Sequence, residues 1–139
     1  MQVLQARVLL RPRDFDRSVA FYETAVGLTR YREWGEPPDR GVVYFLGGGF
    51  LELTEAPAPE REASSPPGGE TDDTPMVRLW LQVADAAAAR DELVARSTPI
   101  AAEPELKPWG LIELSVFDPD GLELIFIETP TSHPLRRRQ

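Results

Sequence analysis

Cysteine is absent from the 139-residue chain, and histidine occurs once. Without cysteine there is no disulfide framework, no zinc knuckle and no thiol nucleophile, and a cytoplasmic location is expected. The lone imidazole, His133, stands between Ser132 and Pro134 near the C-terminus. Most transition-metal centres in enzymes draw on imidazole or thiolate. The metal donors that remain are carboxylates, which suit calcium, magnesium or manganese. A histidine general base is missing too, unless the C-terminal segment folds back into a pocket. Long apolar runs are lacking: no stretch nears the ~18–20 residues of a membrane span. The opening residues Met1 to Arg7 carry no apolar h-region or cleavage signature, so no signal peptide is expected. Nor is there a glycine-rich phosphate loop, a nucleophile elbow, a zincin His pair or a calcium loop. Gly47-Gly48-Gly49 opens no helix, and Asp118-Pro119-Asp120-Gly121 lacks the later ligands of a calcium loop.

What is present points to one small domain or two packed halves. Hydrophobic residues make up 42% of the chain, enough for a core, and the net charge of -8 argues against general nucleic-acid binding. The short basic run Arg136 to Arg138 reads as a solvated tail.

Leu4 to Leu10 alternates as a strand. Asp14 and Asp16 offer caps for a helix from about Arg17 to Val26, with Phe15, Val19, Tyr22 and Val26 as its apolar stripe. Gly27 follows as a C-cap. Three strands are expected next, 28–34, 41–46 and 50–54, the last two joined by the Gly47-Gly48-Gly49 hairpin. The stretch 55–75 is rich in Pro, Ser, Gly and acid and reads as a linker. The plan then repeats: a strand over 76–83, a helix capped by Asp85 with Ala86, Ala89 and Leu93 on one face, a weak strand 100–103, and strong strands 111–117 and 122–127. Asp118 to Gly121 between the last two suits a type I turn with a bulge. Asp14 and Asp85 are 71 residues apart, as are Val8 and Leu79, Leu10 and Leu81, and Tyr22 and Leu93. Such a constant offset is the mark of an internal duplication. The expected fold is therefore α+β: two tandem βαβββ modules, residues 1–54 and 76–130, whose curved mixed sheets enclose a cleft, with a tail over 131–139.

Two segments, RDFDRSVAFYETAVGL (13–28) and KPWGLIELSVFDPDGLELIFIE (107–128), resemble the vicinal oxygen chelate superfamily, which includes glyoxalase I, the bleomycin-resistance proteins and the extradiol dioxygenases. The first carries the family's opening helix with its Phe-Tyr pair and closing Gly-Leu. The second carries its Pro-Trp-Gly loop, its Asp-Pro-Asp-Gly turn and its final strand. The resemblance implies a metal centre drawn from the first and last strands of each module, commonly two His and two Glu. In this sequence those positions hold Arg7, Glu52, Arg78 and Ile125. Arginine offers donors only and cannot ligate a metal. No metal and no cofactor are therefore expected. Arg7, Arg78 and Glu52 are expected to converge, either as a structural ion-pair network or with an arginine left to grip a ligand carboxylate or phosphate.

Alternation along the strands puts Arg7, Tyr44, Phe50, Glu52, Arg78, Trp80, Gln82, Glu113 and Ser115 on the cleft side as candidate ligand-binding residues. Trp80, Tyr44 and Phe50 would suit a flat or conjugated ligand, although each would serve equally as packing. Three functions compete. The first is a homodimeric, metal-free binder of an aromatic or natural-product-like small molecule, as in antibiotic resistance by sequestration. The second is a metal-independent isomerase, lyase or cyclase, with Glu52 or Glu113 as base and Arg7 or Arg78 stabilising an enolate. The third is a scaffold acting through protein contacts. No nucleic-acid or membrane partner is expected.

Overall fold

Asp14 and Asp85 start the two helices as their side chains dictate. Asp14 accepts a hydrogen bond from the Arg17 N–H at 3.1 Å, and Asp85 one from the Ala88 N–H at 2.9 Å. Asp16, the other candidate cap, pairs instead with Arg40. The computed structural model describes residues 1–55 and 76–134. The expected linker, apart from Glu55, and the last residues of the tail lie outside them.

The chain divides into two units, Met1–Asp72 and Asp73–Gln139. In the first, the elements are β1 (Arg7–Leu10), α1 (Phe15–Ala20), a π-helical turn (Phe21–Ala25), β2 (Arg30–Trp34), β3 (Gly41–Leu46) and β4 (Gly49–Thr54). In the second they are β5 (Leu79–Gln82), α2 (Ala86–Ala95), β6 (Ala102–Leu106), β7 (Ile112–Phe117) and β8 (Glu123–Glu128). Each unit has one four-stranded mixed sheet, in the orders β1-β4-β3-β2 and β5-β8-β7-β6. In both, the first strand runs parallel to the last and the other neighbours are antiparallel. The duplication read from the spacing is thus a repeated βαβββ topology, and the α+β expectation holds. Among the described residues no helix is long and apolar enough to cross a membrane.

Each helix covers one face of its own sheet, α1 against β4 and α2 against β6, β7 and β8. In the first unit that face buries Val42, Tyr44, Leu51 and Leu53. In the second it buries Leu79, Leu114, Val116, Leu124 and Phe126. Full burial of each such side chain contributes about 1.5–3 kcal/mol of transfer free energy. Glu128, at the end of β8, accepts from the Ala86 N–H at 2.9 Å and ties the sheet to the start of α2.

Three local expectations are corrected. The first helix is α-helical only to Ala20, and its last turn widens to a π turn, with Val26 N–H bonded to the Phe21 carbonyl at 3.0 Å. The buried stripe is Phe15, Ser18, Tyr22 and Ala25, leaving Val19 and Val26 half-buried. The weak strand of the second half runs over Ala102–Leu106, with an irregular register between Ala102 and Glu105. The glycine hairpin turns on two residues, Gly47 (φ +56) and Gly48; Leu46 pairs with Gly49, which already belongs to β4. The Asp118 turn forms as expected: its carboxylate accepts from the Asp120 and Leu122 N–H groups at 2.9 and 2.8 Å, and Gly121 has φ +87.

Candidate functional site

Residues directly opposite one another in a sheet share a face. In the first unit, Arg7 pairs with Phe50, Leu9 with Glu52, and Val43 with Glu52. The face away from the helix therefore carries Arg7, Phe50 and Glu52, as expected. Arg7 Nη1 donates to Glu52 Oε1 at 2.9 Å, and its guanidinium lies 5.5 Å from the Phe50 ring centroid. Phe50 stands in an aromatic trio with Tyr31 and Phe45, centroids 5.1–5.6 Å apart. Tyr31 and Phe45 were not picked out from the sequence. Phe45 faces Phe50 only because the glycine turn has two residues, which the sequence did not settle.

Tyr44 is the correction. It pairs with Leu51, so it lies on the helix face and not beside Phe50 and Glu52. A three-residue glycine turn would have paired Leu46 with Phe50 and Tyr44 with Glu52. Shortening the turn by one residue flips every side chain of the strand to the other face. Tyr44 is fully buried, and its hydroxyl has no hydrogen-bond partner of ordinary geometry. Burial, reinforced by the nearby Glu23 charge, pushes the phenol above its ordinary value. Its neutral form is thus favoured in the folded state, so the contribution to stability is full below the unfolded value near ~10 and is lost as pH rises beyond it. Tyr44→Phe is expected to leave stability at pH 7 unchanged or raised by up to ~1 kcal/mol, because it removes an unsatisfied hydroxyl. It should also flatten the fall of stability above about pH 10, as read by urea unfolding at stepped pH.

In the second unit the expected alternation matches the register. Trp80 pairs with Ile125, Gln82 with Ile127, Glu113 with Ile127 and Ser115 with Ile125, so all lie on the face away from α2. Ser115 is buried, Trp80 is 55% exposed, and Gln82 Nε2 donates to Thr129 Oγ1 at 3.3 Å. Arg78, just ahead of β5, lies 3.6 Å from Glu123, an ion pair without hydrogen-bond geometry that leaves its side chain 55% exposed. The structure brings Arg7 and Glu52 together, and it gives Arg78 a carboxylate partner in its own unit. Glu123 lies two residues before Ile125 on the same face of β8, and Ile125 is the residue at the position equivalent to Glu52. Glu113 accepts from Trp109 Nε1 and enters no ion pair among the described residues. That bond gives the Pro-Trp-Gly loop a contact with the candidate carboxylate. His133 lies against the same loop, with Nε2 3.3 Å from the Trp109 carbonyl oxygen.

The four positions that the resemblance assigns to metal ligands thus hold two guanidinium groups, one aliphatic side chain and one carboxylate already bonded to a guanidinium. This donor set does not fit a divalent cation. Among the described residues there is also no group of three or more His, Cys, Asp or Glu that could hold one.

Comparison with known proteins agrees with this architecture. The family described as Glyoxalase/Bleomycin resistance protein/Dioxygenase superfamily matches residues 4–126. The crystal structure of SMU.1112c superposes with a TM-score of 0.72 at 26% identity, covering 92% of this chain and 99% of that one. A glyoxalase/bleomycin resistance protein/dioxygenase from Nocardioides gives 0.69 at 21% identity, over 96% and 89% of the two chains. A glyoxalase-related enzyme from Fulvimarina pelagi gives 0.67 at 19%, over 94% and 90%. No curated protein sequence matches the chain.

Proposed function

Because the chain belongs to the glyoxalase/bleomycin resistance protein/dioxygenase superfamily, we propose that it is a metal-independent small-molecule binding protein whose ligand is an aromatic, natural-product-like carboxylate. The observation that carries this reading is the replacement of the expected metal ligands by arginines, one of which keeps an exposed fork. Arg78 makes no short hydrogen bond to Glu123, so its donors can meet a carboxylate in bidentate geometry. Trp80 follows two residues on along the same face, about 6.6 Å away at ~3.3 Å per strand residue. A ring stacked on that exposed indole can place its carboxylate on Arg78. Retention of such a ligand by a cytoplasmic homodimer is the sequestration role we assign, in the manner of antibiotic resistance without chemistry.

Calorimetric titration with 1-naphthoate and with 1-naphthalenemethanol tests this. The carboxylate should bind roughly tenfold more tightly than the alcohol, the range of a hydrogen bond to a charged group. Equal affinities would remove the arginine from the account.

A second reading rests on Glu113. Glu52 already accepts from the Arg7 guanidinium, whereas Glu113 is held only by an indole N–H among the described residues. As a metal-independent isomerase, lyase or cyclase the protein would use Glu113 to take a proton from carbon. Glu113→Gln would then abolish turnover while leaving ligand affinity intact. A binder would show no turnover in either form.

A further inference from the structure

The helix side of the first sheet holds a cavity of about 390 Å³, at the small end of the range for ligand pockets. Its apolar surface comes from Phe15 and Val19 of α1, Trp34 of β2 and Val42 of β3, with Gly35 and Gly41 beside them. Val42 pairs with Glu33, so both belong to the helix face, opposite Arg7 and Glu52. Trp34 and Gly41, which pair with each other on the opposite face, also border the cavity at the β2 edge of the sheet, but neither Arg7 nor Glu52 lines it.

Two arginines line it, and neither is available to an anion. Arg40 bonds Asp16 through Nη1 and Nη2 at 2.8 and 3.2 Å, and Glu55 through Nε and Nη2 at 2.9 and 2.7 Å. Its guanidinium also stands 4.7 Å from the Phe15 ring centroid. Arg30 donates to both Glu23 and Glu33. These carboxylates hold both guanidinium groups firmly charged. Four carboxylates meet Arg30, Arg40 and Arg32, whose guanidinium stands 5.6 Å from the ring centroid of the lining Trp34, so among these residues the local charge stays negative by one. Asp16 and Glu33 present their side chains outward, 75% and 66% exposed, and each carboxylate oxygen retains a second lone pair.

We propose that this cavity is a second small-molecule site, for an organic monocation of single-ring size whose apolar body rests on Phe15, Val19 and Val42 and whose ammonium group meets Asp16 and Glu33. The acidic rim repels carboxylates, so the site and the Arg78–Trp80 face select ligands of opposite charge. The proposal does not depend on the function assigned above.

The test is titration of the isotopically labelled full chain with 2-phenylethylammonium, followed by the backbone amides of Val19 and Gly35 and the indole N–H of Trp34. Saturable shifts at these three groups are expected, with 2-phenylethanol binding roughly fivefold more weakly or worse. Asp16→Asn and Glu33→Gln should each weaken amine binding about two- to fivefold, and Arg78→Ala should leave it unchanged. Shifts that stay linear in ligand, equal binding of the alcohol, or indifference to both carboxylate variants would overturn the proposal. Loss of naphthoate binding alone would bear only on the function proposed for Arg78.

Discussion

Leu51→Ala is expected to lose about 2–5 kcal/mol of folding stability, the range for truncating a fully buried leucine. Leu51 lies on β4 between Val8 and Tyr44, with no exposed surface, on the face covered by α1. Neighbouring strands hold its position from both sides, so the space left behind can collapse only in part. Its chain neighbour Glu52 points the other way. Glu52→Gln removes one partly exposed ion pair and should cost less than ~1 kcal/mol. Urea unfolding of the two variants reads the contrast directly. Equal losses would mean that the alternation along β4 is misassigned.

Arg78→Ala is expected to reduce 1-naphthoate affinity by about tenfold or more, the loss of a charge-assisted bidentate contact. The same change should alter stability by less than ~1 kcal/mol, because its Glu123 partner is 3.6 Å away and the arginine is half exposed. Affinity and stability are thus separable at this residue. Trp80→Ala should instead weaken the carboxylate and the alcohol together, since both use the indole face. Unchanged naphthoate affinity in Arg78→Ala would place the ligand elsewhere.

The fold was legible because its signals are local and repeated. Asp14, Gly27, Asp85 and the Asp118 turn each fix an element boundary through their own hydrogen bonds or dihedral angle. The second sheet's faces were legible because alternation on β7 meets a turn whose length is set by Asp118 and Gly121. The first sheet was harder. Three consecutive glycines allow a two- or a three-residue turn, and alternation cannot choose between them. Equivalence with Ser115 at the 71-residue offset places Tyr44 on the cleft side, but the residue of β3 equivalent to Ser115 is Val43. The π turn was hidden because Val19 and Val26 suit an unbroken helical stripe as well as Ser18 and Ala25 do. The Arg40 network joins the residue before β3 to a residue in the first turn of α1 and to Glu55, contacts across 24 and 15 residues that no spacing rule reveals.

The replacement of metal ligands by guanidinium groups is the central claim, and metal analysis after incubation with zinc, manganese and nickel salts followed by gel filtration tests it most directly. The account predicts far less than one equivalent of any of them per chain. One equivalent retained by the wild type and lost in Glu52→Gln would contradict it.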